Sequence, residues 1–177
     1  MAKIEQTNLV TIDALRIRNA IDIYFHWKQL DAEVRAISTR GINLPAELSE
    51  IFACYVLKYQ QNKGSGGDAY DPINDRIVEM KGSGSERDDL SSFSPSESFD
   101  ELVFCKINKN DDCAIIYETG INSEQLKDIK VSSTQTVRDQ QAQGRRPRFS
   151  VEDKIIKALG IQPTYKFDLR NKEIIKL

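Results

Sequence analysis

The sequence predicts an α/β domain built on a small central mixed β-sheet flanked by helices. Three observations predict it. Two segments near the N-terminus repeat apolar residues at steps of three and four. The middle of the chain switches to strand-like apolar runs broken by turn residues. A capped helical segment and a strand-rich tail follow. A chain of 177 residues fits one domain with a sizeable core. Its 40% apolar and 29% charged residues are ordinary for a globular protein.

Residues 11–40 read as one long helix. Leu15, Ile21, Tyr24, Trp27, Leu30, Val34 and Ile37 mark its apolar positions, with Thr11 as a candidate cap and Gly41 as its stop. Apolar residues on more than one side make residues 1–41 a candidate dimer element. Pro45 suits the first turn of a second helix running to about Lys63, with Leu48, Ile51, Phe52, Tyr55 and Tyr59 on its inner face. Gly64-Ser65-Gly66-Gly67 ends it.

A β-hairpin follows over residues 68–81, turned by Asp71-Pro72-Ile73-Asn74-Asp75. A serine-rich connection covers residues 82–100. Residues 101–107 and 113–118 are rich in β-branched and aromatic side chains and read as two strands. Residues 123–131 suit a short helix. Residues 132–149 are polar, weakly periodic and arginine-rich. Ser150 and Asp153 form a capping-box pattern for a helix ending at Gly160. Residues 164–177 read as one or two strands. The whole is one domain, with residues 45–160 as its core.

Composition excludes several chemistries. No apolar run approaches a membrane span, and the first ten residues lack the apolar stretch of a secretory signal. A cytoplasmic protein is expected. Cys54, Cys105 and Cys113 match no zinc spacing, and their odd number argues against a disulfide framework. His26 is the single histidine, so a zinc site made of histidines is impossible and catalysis by paired histidines is disfavoured. His26 and Trp27 suit packing or dimer contacts instead. The net charge of −2 hides any local basic patch.

One constellation carries chemistry. The chain contains three acidic-x-Lys tripeptides: Glu79-Met80-Lys81, Asp128-Ile129-Lys130 and Glu152-Asp153-Lys154. In a strand, residues i and i+2 share a face, whereas in a helix they diverge by about 200°. Only 79–81 lies on an expected strand, and the hairpin returns Asp68 beside Glu79. Two neighbouring carboxylates ionise together cheaply only around a cation. Mg2+ suits such a site, because it accepts one or two carboxylates plus water and phosphate oxygens. The Met80 carbonyl is a further candidate ligand. An ion there would orient a water for phosphodiester hydrolysis, and Lys81 would place positive charge beside water or phosphate.

Asp68 followed by Glu79-Met80-Lys81, with the strand Leu102-Val103-Phe104-Cys105-Lys106-Ile107 behind it, resembles the PD-(D/E)xK nuclease superfamily. Gly67 stands where that motif carries proline. The resemblance implies a restriction-endonuclease-like core and a metal-dependent deoxyribonuclease, with Mn2+ able to replace Mg2+. Within the superfamily the chain is similar to small type II restriction endonucleases that cut GC-rich palindromes interrupted by one unspecified base. It implies an extra acid on the preceding helix, best matched by Glu50 with Glu47 as alternate. It also implies double-stranded DNA as substrate and a two-fold homodimer. Arg138, Arg145, Arg146 and Arg148 are the candidate DNA contacts, since arginine grips phosphates and reads guanine edges. A repair or junction-resolving nuclease, or a non-catalytic DNA-binding regulator, would carry the same pattern.

Overall fold

A computed structural model describes residues 4–85, 89–96 and 98–177. Among these residues one eight-stranded sheet forms the centre, with strand order β1-β2-β3-β4-β6-β7-β9-β10. The strands are β1 (Leu9–Thr11), β2 (Gln60–Asn62), β3 (Ala69–Asp71), β4 (Arg76–Ser83), β6 (Glu101–Asn108), β7 (Cys113–Glu118), β9 (Tyr165–Asp168) and β10 (Glu173–Lys176). β4 and β6 pair in parallel, and every other neighbouring pair is antiparallel. The sheet is therefore mixed, as expected, but wider than a small one. A separate two-stranded ribbon joins β5 (Ser91–Ser92) to β8 (Arg148–Phe149).

The long first helix, α1, spans Ala14–Ile37. Thr11 lies in β1, and Asp13 is the cap, its carboxylate accepting the Arg16 amide at 2.8 Å. The buried side is Ile17, Ala20, Ile21, Tyr24, Trp27 and Asp31, while Leu15, Ile23, Leu30 and Ile37 are exposed. The second helix, α2 (Ala46–Leu57), stops well before Lys63. Lys58 turns into the left-handed region at φ 62°, and the Tyr59 amide bonds back to the Cys54 carbonyl. The chain can then enter β2, which the apolar period had absorbed into the helix.

The two faces of the sheet carry separate cores. Val78, Met80, Val103, Cys105, Ile107, Ile116 and Phe167 pack under α1 and α2. Leu102 and Phe104 point the other way, against Phe93, Phe99, Leu126, Val137, Phe149, Val151 and Ile155. β6 is thus buried on both sides, which explains its unbroken apolar run. All three cysteines are free and buried.

The second face is covered by short helices. α3 spans Ser123–Leu126 and α4 spans Val137–Ala142, each opened by a capping box. α4 falls within the stretch read from sequence as irregular. α5 (Glu152–Lys157) is wound as a π-helix, and Ser150 caps it by accepting the Asp153 amide at 3.0 Å. No described helix is long and apolar enough to cross a membrane.

Candidate active site

The hairpin β3–β4 is asymmetric, and the site sits where it runs out. β3 begins at Ala69, opposite Val78, so β4 continues from Glu79 to Ser83 with its β3-side edge bare. The Asp68 side chain occupies that edge. Its Oδ2 accepts the Met80 amide at 2.8 Å, replacing the ladder bond a longer β3 would have made. Gly67 makes this turn possible. Its φ is 97°, and an added Cβ would meet Ile77 Cγ2 at 2.5 Å. Proline, fixed near −65°, could not stand there.

Alternation along β4 sends Val78 and Met80 toward α2 and sends Glu79 and Lys81 to the opposite face. Glu79 and Lys81 therefore meet, as expected, in a carboxylate–ammonium contact between Oε1 and Nζ. Glu79 is almost wholly buried at 1% exposure. Lys81 Nζ also lies 5.2 Å from the centre of the Phe93 ring. The other two acidic-x-Lys tripeptides do different work. Asp128 pairs with Arg138, Glu152 with Lys106, and Asp153 with Lys157.

α2 brings a second acid to the bare edge from the other face. A cleft of about 210 Å³ is lined by Glu50, Asp68, Met80 and Lys81, together with Ser91 and Ser92. Burial, with the nearby Asp68 charge, pushes the Glu50 carboxyl above its usual range. Gln61 Nε2, on β2, donates to Glu50 Oε2 at 3.3 Å. Sequence reasoning missed Gln61, because β2 was read as helix. Close packing fixes α2 against β4: a Cβ on Gly82 would lie 2.1 Å from Ser49 Oγ.

The serine-rich connection, read from sequence over residues 82–100, supplies the far wall through β5. Residues 86–88 and 97 of that stretch lie outside the described residues. Asp89 anchors the remainder. It is 4% exposed, and its carboxylate accepts the Ser150 hydroxyl and the Val151 amide, the latter at 2.8 Å. No motif marked Asp89, since its partners lie about sixty positions away.

The four arginines separate. Arg148, on β8, stands opposite Ser92 of the cleft wall. Arg146 is exposed. Arg138 bonds Asp128 at 3.1 Å, and Arg145 bonds Gln135 at 3.4 Å and Gln143 at 3.3 Å. Two nearby glutamines serve the fold: Gln140 is buried, and Gln141 donates to the Ser94 carbonyl at 3.1 Å.

Among the described residues no three His, Cys, Asp or Glu side chains are grouped closely enough to hold an ion alone. Glu79 turns to Lys81, leaving Asp68 and Glu50 on the cleft. That donor set still fits Mg2+, which keeps several waters and needs only one or two carboxylates. It does not fit zinc, which takes four protein ligands in structural sites and three in catalytic ones.

No solved structure matches the chain significantly. The type II restriction enzyme Bsp6I of Bacillus sp. (strain RFL6) is 49% identical over 170 residues, covering 96% of this chain and 98% of that enzyme. The family model described as Bsp6I restriction endonuclease matches residues 12–158, which include the hairpin, the cleft and the β5–β8 ribbon. The chain belongs to the Bsp6I restriction endonuclease family.

Proposed function

We propose that the chain cuts both strands of a short, GC-rich palindromic DNA sequence, with Mg2+ as cofactor and as a cytoplasmic homodimer. Family membership makes it a type II restriction endonuclease acting on double-stranded DNA. The observation that carries the finer reading is the joining of Asp68, Glu50, Met80 and Lys81 around one polar cleft, with Glu79 held against Lys81.

Asp68 and Glu79 are the carboxylates that would hold the ion, with Glu50 beside them on the cleft and the Met80 carbonyl as a neutral supplement. A bound Mg2+ would supply a positioned water of lowered pKa and charge stabilisation for the pentavalent phosphorus. The chain's own groups do the rest. The Met80 amide fixes the direction of the Asp68 carboxyl. Gln61 steadies Glu50, whose raised pKa reflects burial and a like charge that a cation would offset. Lys81 places its ammonium beside the reacting phosphate, where a preorganised charge is worth far more than in water. Glu79 keeps Lys81 aimed. Ser91 and Ser92 offer hydroxyl donors to phosphate oxygens. The GC-rich target rests on the likeness drawn from sequence and on arginines as guanine readers.

The homodimer reading rests on α1. Leu15, Ile23, Leu30 and Ile37 are 50–89% exposed. At about 100° per residue they fall within roughly 80° of the helix circumference. Two such stripes facing each other would cover them and match the two-fold symmetry of a palindrome.

Incubating the purified protein with phage DNA, in Mg2+ or in EDTA, and sequencing the fragment ends tests this. Discrete fragments ending in one short sequence, in Mg2+ only, are expected. Cutting that follows branched or damaged structure rather than sequence would favour a repair or junction-resolving role.

A further inference from the structure

The cleft does not end at Ser92. Ala46, Ser49, Gly82 and Leu90 also wall a larger concavity of about 880 Å³ on its other side. Among the described residues three cations line this second space, each from a different part of the fold: Arg35 from the end of α1, Lys109 from the β6–β7 turn, and Arg148 from β8. Buried Asp31 orients two of them, with Lys109 Nζ at 3.1 Å and Arg35 Nε at 3.0 Å. Its single charge balances one of those two. Asp89, an acid that lines the space itself, is turned to the first amides of α5 and to Ser150. Lys109 is further held over the Trp27 ring, 5.6 Å from its centre.

We propose that this concavity is a phosphate track, binding the sugar–phosphate backbone of the strand that flanks the cut. It rests on the DNA-cleaving reading of the adjoining cleft and adds Lys109 and Arg35 to the groups that hold DNA. A strand carries one phosphate per about 3.4 Å of helix axis. A backbone seated on Lys81 therefore presents further phosphates to whatever space adjoins it. Among the described residues the neighbouring space is roomy, and its charged lining carries an excess of positive charge beside the apolar Trp27, Ile42 and Leu44. Because the three cations come from separate elements, and Arg35 and Lys109 are fixed by Asp31, they suit backbone positioning rather than base readout.

Counterion release gives a readout that a merely structural role would not move. Each phosphate contact contributes about 0.9 to the slope of log K against log salt. Binding of a 30-base-pair duplex of arbitrary sequence is measured in EDTA across KCl concentrations, for the wild type and for Lys109→Met, Arg148→Ala and Lys58→Asn. The methionine keeps the stem against Trp27, and Arg148 is exposed, so its loss leaves the fold intact. Lys58 sits at the far end of α2, about 18 Å along a twelve-residue helix, and serves as a control. Lys109→Met and Arg148→Ala are each expected to lower the slope by about one and weaken binding several-fold, while Lys58→Asn changes neither. Wild-type slopes in both Lys109→Met and Arg148→Ala would overturn the track. A protein that shows the expected slopes yet never cuts DNA would refute the catalytic reading and leave the track standing.

Discussion

At the scale of single residues, the site depends on where the backbone departs from regular structure. Gly67 is the clearest case. A left-handed backbone costs an L-residue about 1–2 kcal/mol, and here a methyl group would also press on Ile77. Gly67→Ala should therefore lower stability by at least about 1–2 kcal/mol in denaturant melts. It should also reduce cutting more than stability alone explains, because the Asp68 carboxyl would leave the Met80 amide. The motif's acids and lysine were legible in the sequence because strand alternation is a strict rule. Gln61 and Asp89 were not legible, since each acts through a partner that only the fold brings near.

Between elements, buried carboxylates act as rivets. Asp112, in the β6–β7 turn, is 1% exposed and accepts from Tyr24 at 2.8 Å and from Lys28 and Arg170 at 2.5 Å each. It ties α1 to both sheet turns. Burial alone would raise its pKa, but hydrogen bonds from Lys28, Tyr24 and Arg170 outweigh this and hold it below the usual range. A depressed carboxylate contributes stability above its unfolded pKa, near 3.9, and that contribution is lost as pH falls through the folded value. Asp112→Asn should cost about 3 kcal/mol at neutral pH, and its stability should decline less steeply than wild type below about pH 4. Urea melts across pH check both. Element boundaries were harder to read than element types. β2 hid in the tail of α2 because Tyr59 prolonged the apolar period. α4 hid because its six residues carry little periodicity, although Thr136 and Asp139 made a capping box that could have marked it.

Across the whole molecule, two apolar faces and one bare strand edge explain the arrangement. The sheet is closed above and below by α1–α2 and α3–α5, and the proposed catalytic cleft lies where β3 falls short of β4. The exposed stripe on α1 is one apolar surface that this closure leaves uncovered. If it joins two copies, Leu30→Glu should halve the mass seen in light scattering and convert double-strand cutting of supercoiled plasmid into slow nicking. An unchanged mass would rule out this stripe as a dimer contact. Periodicity marked Leu15, Leu30 and Ile37 as apolar positions together with the buried ones, since an apolar residue left exposed looks the same in sequence as one packed within its own chain.

The most direct measurement compares cleavage by the wild type, Asp68→Asn, Glu79→Gln and Lys81→Ala in Mg2+, with circular dichroism and binding to the cut sequence measured alongside. The account predicts that each substitution lowers cleavage by at least about 10²–10³-fold while helix content and DNA binding persist. Cleavage within a few-fold of wild type in any of the three folded variants would contradict it.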